Sequence, residues 1–344
     1  MTRQELQQRQ LAGQYLTRPG TLSEVAGEFC GLQAQFLPQA LHALRIRSGA
    51  DDSQAEAALV KNWTLRGTVH IFPLADLPLY LEPDTYHSHD WTLPDFWNSR
   101  SDWALTPRRQ DYFSRLILEA LEGGPRSWEQ LKALCRAAGM TEAEEGSLFH
   151  PWGGGIRQLC QRGFIHYAVQ EEKTLCLSPV VTPLPRETAQ LELARRYFTH
   201  YGPATIHDAM YFFRTTARQV KGWLAQLPLQ ETVYQERSYF YLPGATEAPP
   251  LPRCSFLAGF DPLLLGYEKK ESLYLPPEQL RRVFSLAGIV SPTVLLRGEI
   301  AAKWQRKGKT LLVQPFRPLQ PAERDALQEE AERLWPQHRL RLEE

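Results

Sequence analysis

The sequence has few of the features that mark secreted, membrane-bound or nucleic-acid-coating proteins. It contains five cysteines, an odd number with no CxxC pair, so it indicates neither a disulfide framework nor a zinc site. Its 39 basic and 39 acidic residues leave no net charge, which argues against nonspecific coating of nucleic acid but allows one basic face. No apolar run approaches the roughly 20 residues that span a bilayer. Because the first ten residues are also polar, unlike a signal peptide, we expect a cytoplasmic protein.

The size and composition fit a globular protein of several domains. A chain of 344 residues, 43% hydrophobic and 23% charged, can form two or three cores. His87 and His89 with Asp90 could bind a metal, but His-x-His alone is a weak motif that more often belongs to an exposed loop. We therefore expect neither a metal nor another cofactor.

The predicted elements repeat one plan along the chain. Helices followed by a β-hairpin recur at intervals of roughly 80 residues, which predicts winged-helix units at residues 1–100, 101–185 and 186–245. After a proline-rich linker at residues 244–252, strand-like runs and a closing helix predict a β-rich domain at residues 250–344. The predicted fold class is α+β, with tandem winged-helix units in a concave arrangement, and we expect a monomer.

Two glutamines form the stretch with the most chemical interest. Gln33 and Gln35 flank one alanine and precede an apolar run that ends with Arg45 and Arg47. In an extended chain both amides lie on one face, where they could hold a water or a polar substrate edge. In a helix they point about 200° apart. They could equally be ordinary polar residues near the end of a helix.

Several stretches together resemble the winged-helix DNA glycosylases of the AlkZ/YcaQ type. They are GLQAQ at 31–35, ALRIRS at 43–48, WTLRGTVH at 63–70, FPLADL at 72–77, and the segments 201–213 and 260–270. That family excises alkylated bases, and some members unhook interstrand crosslinks. Its catalytic motif is Gln-x-Gln in the AlkZ branch and Gln-x-Asp in the YcaQ branch. The resemblance therefore implies a monofunctional DNA glycosylase of the AlkZ branch, with Gln33 and Gln35 as catalytic residues and duplex DNA containing alkylated or crosslinked purines as its partner.

The chemistry of N-glycoside cleavage gives these amides a physical role. The reaction passes through an oxocarbenium-like sugar, and water must arrive opposite the base. A purine alkylated at N7 is already cationic, so it leaves as a neutral base without a proton. An amide that orients water can then suffice. We expect Gln35 to hold the water and Gln33 to lie beside it against the nucleotide.

Basic residues near the motif are predicted to contact the DNA backbone. They are Arg45 and Arg47, and Arg66 and His70 on a strand predicted over Trp63–Phe72, where even spacing would place the last two on one face. Arg66 could instead form an internal salt bridge, and His70 could be a hydrogen-bonded strand histidine. Trp63 is expected in the core.

A second basic cluster is predicted on a hairpin near the C-terminus. Lys303, Arg306, Lys307 and Lys309 surround a turn predicted at Lys307–Gly308, and they could bind a groove or the backbone. The alternative is a solvated turn. A non-catalytic winged-helix transcriptional regulator would bind duplex DNA as well, but it has no need to place Gln33 and Gln35 at a strand edge.

Overall fold

The chain divides into two units, described by a computed structural model over residues 1–243 and 249–343. The first unit combines Met1–Ala55 with Leu191–Glu344, and the second is the continuous segment Glu56–Gln190. The N-terminal helices therefore fold with the C-terminal half of the chain. The four-part domain division predicted from the sequence is finer and stays a prediction, as does the concave arrangement of winged-helix units. Residues 244–248 of the predicted linker lie outside the described residues.

Helices dominate the N-terminal region. Thr21 caps the second helix in a box with Glu24, as the sequence predicts. The first helix ends at Gly13, although the sequence predicts its end near Thr17. The elements are α1 (Arg3–Gly13), α2 (Leu22–Glu28), β1 (Leu32–Gln33), α3 (Leu37–Ser48) and α4 (Asp52–Ala58).

Buried glutamines attach α1 to the C-terminal part of the first unit. The Gln7 amide donates to the carbonyl oxygens of Leu273 and Gly298, at 2.8 and 2.7 Å. Gln10 donates to the carbonyl of Pro203 at 2.7 Å. Because buried amides are costly unless hydrogen bonded, these contacts help to fix how the two ends of the chain pack.

The second unit combines a layer of helices with a sheet in which the strands of this unit pair antiparallel. Its core includes Trp63, as predicted, with Phe113, Ile117 and Leu159. Ser127 caps the second of its long helices, also as predicted, whereas the sequence analysis missed the short α7. The elements are β2 (Leu59–Trp63), β3 (Val69–Pro73), α5 (Pro107–Glu122), β4 (Arg126–Ser127), α6 (Trp128–Ala137), α7 (Glu142–Leu148), α8 (Gly154–Gln161), β5 (Ile165–Tyr167) and β6 (Thr174–Leu177), with sheet order β3-β2-β5-β6-β4.

The single strand predicted over Trp63–Phe72 is wrong. The structure has two antiparallel strands, β2 and β3, joined by a 3-10 turn at Leu65–Gly67. Arg66 adopts φ +58 and Gly67 φ +67, and these left-handed conformations reverse the chain. Arg66 and His70 therefore do not share a strand.

A helical segment and a hairpin follow in the first unit. Gln235 and Glu236 form the hairpin turn with φ of +47 and +62, the pattern of a type I′ turn. The alternation at residues 231–243 predicts this hairpin with its turn at Glu236–Arg237, one residue later than in the structure. The elements are α9 (Arg186–His200), α10 (Ile206–Phe213), α11 (Ala217–Leu224), β7 (Gln230–Tyr234) and β8 (Arg237–Tyr241).

A five-stranded sheet covered by a helix completes the first unit, matching the strands and closing helix predicted there. Phe256, Trp304 and Trp335 lie in its core. The run at 272–275, predicted as a strand, is irregular, and the last strand was not predicted. The elements are β9 (Cys254–Leu257), α12 (Pro262–Leu265), α13 (Leu280–Val283), β10 (Thr293–Leu296), β11 (Glu299–Lys307), β12 (Thr310–Pro315), α14 (Pro321–Leu334) and β13 (Arg339–Leu342), with sheet order β9-β10-β11-β12-β13 and only the last pair parallel.

Candidate active site

The Gln33–Gln35 motif lies on an extended segment between α2 and α3. Leu32 and Ala34 are buried, with 1% and 4% of their surface exposed. Gln33 is half-buried and Gln35 is exposed. This alternation places the two amides on the face opposite the buried side chains, and it confirms the extended alternative of the sequence analysis.

The two amides bind each other. Gln33 Nε2 donates a hydrogen bond to Gln35 Oε1 at 3.1 Å. An amide oxygen has two lone pairs, so Gln35 Oε1 can accept a second hydrogen bond from water. The contact therefore orients the Gln35 amide with its oxygen beside Gln33, and the pair offers a neutral acceptor at a defined position.

Helix α3, which follows the motif, is fixed to β9 and the loop after it. Gln39 Oε1 accepts from the backbone N–H of Gly259 at 2.6 Å. His42 Nε2 donates to the carbonyl of Phe256 at 2.7 Å, and its ring stacks on Trp335. Burial lowers the pKa of His42 to about 4, so the imidazole is neutral at pH 7 and holds the helix by a neutral hydrogen bond.

Arg47 anchors the other end of α3, and the predicted DNA contact of this residue is wrong. Its side chain is completely buried and pairs with the buried carboxylate of Asp261, with Nη2 at 2.6 Å from Oδ1. Its Nε donates to the carbonyl of Gln14 at 3.1 Å. Asp261 also accepts from the N–H of Leu263 at the start of α12. The guanidinium of Arg47 is thus neutralised by a buried carboxylate and is not accessible to a DNA phosphate.

Arg45 remains on the surface of α3. Its Nη2 lies 2.6 Å from Asp52 Oδ1, and the two side chains are 38% and 51% exposed. An exposed pair of this kind contributes about 0 to 1 kcal/mol, so phosphate can compete for the guanidinium at little cost.

The basic hairpin is formed by β11 and β12. Lys307 pairs with Thr310 across the ladder, so the turn is Gly308–Lys309 and lies one residue later than predicted. Arg306, Lys307 and Lys309 are exposed and Lys303 is half-buried. Within residues 1–243 and 249–343, none of these four cations forms an ion pair. The tip of the hairpin therefore carries positive charge that no neighbouring carboxylate within the described residues neutralises.

Two predicted contact residues lie in the second unit, and one of them is structural. His70 is 1% exposed, and its Nδ1 lies 2.7 Å from Thr64 Oγ1. Arg66 Nη2 donates to His70 Nε2 at 3.1 Å. Burial, and to a smaller extent the charge of Arg66, lower the pKa of His70 to about 3. A neutral, buried imidazole cannot bind phosphate as a cation, so the hydrogen-bonded strand histidine is correct; a DNA contact by Arg66 stays a prediction.

Comparison with known proteins assigns the family. A family model described as "DNA glycosylase AlkZ-like" matches residues 26–336. The chain belongs to the AlkZ-like DNA glycosylase family. The interstrand DNA cross-link repair glycosylase of Streptomyces sahachiroi is 27% identical over 324 residues, which cover 87% of this chain and 86% of that protein. The solved structure of Streptomyces sahachiroi DNA glycosylase AlkZ has the same fold, with a TM-score of 0.78 and 23% identity over 100% of both chains.

Membership of the AlkZ-like family confirms the resemblance found in the sequence, and it makes the chain a DNA glycosylase. The alternative of a non-catalytic regulator gains no support from these matches. No helix in the described part of the chain is long and apolar enough to cross a membrane. Over the same residues, no group of three or more His, Cys, Asp or Glu side chains is placed to hold a metal ion. His89, from the cluster considered above, instead bonds Asp111 at 2.8 Å.

The structure of this AlkZ-like glycosylase also reveals two aromatic residues that the sequence analysis did not consider. Phe36 directly follows Gln35 and is 49% exposed. Its ring stacks on Phe260, with centroids 5.5 Å apart and an angle of 17° between the planes. Both residues lie in or directly beside the stretches that carry the family resemblance, which is the signal that could have identified them.

Proposed function

We propose that this AlkZ-like glycosylase hydrolyses the N-glycosidic bond of N7-alkylated purines in duplex DNA, with water as the nucleophile and without a lyase step. The observation that carries the proposal is the Gln33–Gln35 amide pair on one face of an exposed, extended segment. Because the pair contains no acid that could protonate the base, it suits a leaving group that needs no proton. Because it contains no amine that could attack the sugar, it suits water as the nucleophile.

The proposed chemistry follows from the charge of the base. As the bond from C1′ to the purine breaks, its electron pair moves to the base and neutralises the N7-alkylated cation. Gln35 Oε1 accepts a hydrogen bond from water and aims the water oxygen at C1′ opposite the departing base, while Gln33 Nε2 holds the Gln35 amide. The new C1′–O bond forms and the released proton passes to solvent. A normal purine would need protonation, which neither amide can supply.

Crosslinked purines fit the same chemistry. A purine joined to a crosslinking agent through N7 carries the same positive charge and leaves as a neutral base. The Streptomyces sahachiroi relative is named for interstrand cross-link repair, which supports including crosslinked duplexes among the proposed substrates.

The proposed DNA contacts are the exposed cations of the first unit, with Arg66 of the second. The hairpin residues Lys303, Arg306, Lys307 and Lys309 would bind phosphates, because the three nearest its tip are exposed and none is neutralised within the described part of the chain. Arg45 would add a contact by exchanging Asp52 for phosphate.

Single-turnover release of N7-methylguanine from a duplex tests the proposal. Gln35→Ala should slow release by about a hundredfold or more, the range typical of a group that manages the reacting proton or water. Gln33→Ala should slow it less, because Gln35 keeps its oxygen and loses only its orientation. Gln328→Ala, at an exposed position of α14, is the matched control and should leave release unchanged.

Binding to the same duplex is measured alongside release. The proposal predicts nearly unchanged affinity for both motif variants, since the substitutions remove no charge. If Gln35→Ala releases N7-methylguanine at the wild-type rate, Gln35 has no role in the mechanism. If the wild type binds duplex DNA but releases no N7-alkylated purine, the proposed substrate class is wrong.

A further inference from the structure

Phe260, the half-buried partner of Phe36, has an unusual backbone conformation. Phe260 adopts φ +57, a left-handed conformation that non-glycine residues rarely take and that is typically retained where the surroundings enforce it. Here both neighbours enforce it: the N–H of Gly259 donates to Gln39, and Asp261 pairs with buried Arg47. The ring of Phe260 is therefore held in place, and Phe36 packs on it with about half of its own surface exposed.

Two unfavourable features therefore occur together at this site: the exposed apolar surface of Phe36 and the strained backbone of Phe260. Phe36 directly follows Gln35 in the chain and is the N-cap residue of α3, and both side chains are exposed. Enzymes that act on a base take it out of the helical stack, and the base then loses its stacking partners. An exposed aromatic face at the reaction site can replace them, because every base has a π-face.

The charge of the proposed substrate strengthens this match. The face of an aromatic ring is negative, and it attracts a cation that lies over it. An N7-alkylated purine is a flat cation before the glycosidic bond breaks and a neutral base afterwards. An aromatic platform therefore favours the bound lesion over both a normal purine and the released product.

We propose that Phe36, supported by Phe260, is a specificity-determining platform on which the alkylated purine stacks beside the Gln33–Gln35 amides. The inference rests on the proposed function, whose site it extends. Since the base stays stacked on the ring until it is released, the contact stabilises the bound lesion and the transition state to a similar extent, so it contributes to lesion binding and not to the rate of the bound complex.

The test measures single-turnover release of N7-methylguanine over a range of enzyme concentrations for wild type, Phe36→Leu and Phe36→Tyr. Leucine keeps apolar contact with Phe260 but removes the π-face. For Phe36→Leu we expect the half-saturating enzyme concentration to rise about tenfold, with the rate at saturation within about twofold of wild type. Phe36→Tyr keeps the ring and should restore the wild-type value.

Two further measurements separate a platform from a structural role. Affinity for an undamaged duplex should be the same for Phe36→Leu and wild type, because its bases stay stacked. Phe96→Leu, at a phenylalanine that is 70% exposed in the second unit, is the matched control and should leave half-saturation unchanged.

The possible outcomes distinguish this inference from the proposed function. If wild type releases N7-methylguanine but Phe36→Leu has the same half-saturation, the platform is wrong and the proposed function stands. If Phe36→Leu and Phe36→Tyr weaken binding of damaged and undamaged duplexes equally, Phe36 is a general contact or packing residue and the platform is also wrong. If wild type releases no alkylated purine, both proposals fail.

Discussion

The basic hairpin of β11 and β12 makes a quantitative prediction about salt. Lys307 lies in the last ladder pair of β11 and Lys309 in the turn, and both are exposed. Replacing both by glutamine keeps a polar, flexible side chain at each position but removes two positive charges. If both lysines contact phosphate, the double variant should bind duplex DNA more weakly, and to the same extent whatever the sequence.

The size of the effect follows from counterion release. Each neutralised phosphate contributes a slope of about −0.9 in the logarithm of affinity against the logarithm of salt concentration. Losing two contacts should make the slope shallower by about 1.8. Between about 50 and 200 mM salt, wild type should therefore lose about tenfold more affinity than the variant. Fluorescence anisotropy of a labelled duplex over this range measures both slopes.

A matched pair of charges provides the control. Lys132→Gln with Arg136→Gln removes the same net charge from α6, but these cations already pair with Glu129 and Glu145, at 3.0 and 2.5 Å. That variant should keep the wild-type slope. An unchanged slope in the hairpin variant, or an equal change in both variants, would refute the argument that the hairpin contacts the backbone.

Two further predictions concern stability. Arg47→Met leaves the buried Asp261 carboxylate without its charged partner, so it should destabilise the first unit by about 3 to 5 kcal/mol in chemical unfolding. Arg45→Met, which removes an exposed pair, should cost about 0 to 1 kcal/mol; equal effects would contradict the structural role of Arg47. Burial lowers the pKa of His42 from 6.5 to about 4. Between these pH values the unfolded chain binds a proton at His42 that the folded chain does not. The free energy of unfolding should therefore fall by about 3 kcal/mol as pH decreases from 6.5 to 4. Thermal unfolding against pH measures this decrease, and His42→Gln should reduce it; an identical pH dependence in that variant would assign the loss to other groups.

Local patterns in the sequence predicted local structure well. The capping box of Thr21 and Glu24 can be recognised from four consecutive residues. Helices α5 and α6 can be predicted from their own caps and the spacing of their apolar residues, without knowledge of contacts with distant parts of the chain. Extended geometry at Gln33 and Gln35 was one of two open alternatives. The buried Leu32 and Ala34 decide between them, and the burial of those residues depends on the rest of the unit.

The failures share one physical cause. Arg47 resembled a DNA contact because its partner Asp261 lies 214 residues away, and no local pattern reports such a pair. The turn at Arg66 was not predicted because the flanking residues Thr64, Thr68 and Val69 favour a strand. Arginine has no preference for the left-handed φ that it adopts here. His70 was given a surface role for the same reason, since only its folded neighbours Thr64 and Arg66 show that it is neutral and buried.

The corrected role of Arg47 explains how the first unit can position a site that contains no metal ligand and no catalytic charge. Both ends of α3 are attached to the same short stretch of chain, because Gln39 binds Gly259 near its start and Arg47 binds Asp261 near its end. His42, between them, binds Phe256 of β9. Strand β9 pairs with β10, which pairs in turn with β11 of the basic hairpin. An orienting amide is a weak catalytic group, and a small displacement of its water would abolish its effect. Attachment of α3 at three points to β9 and the loop after it, in the unit that also carries the proposed phosphate contacts, would keep Gln35 at a fixed distance from the bound DNA backbone.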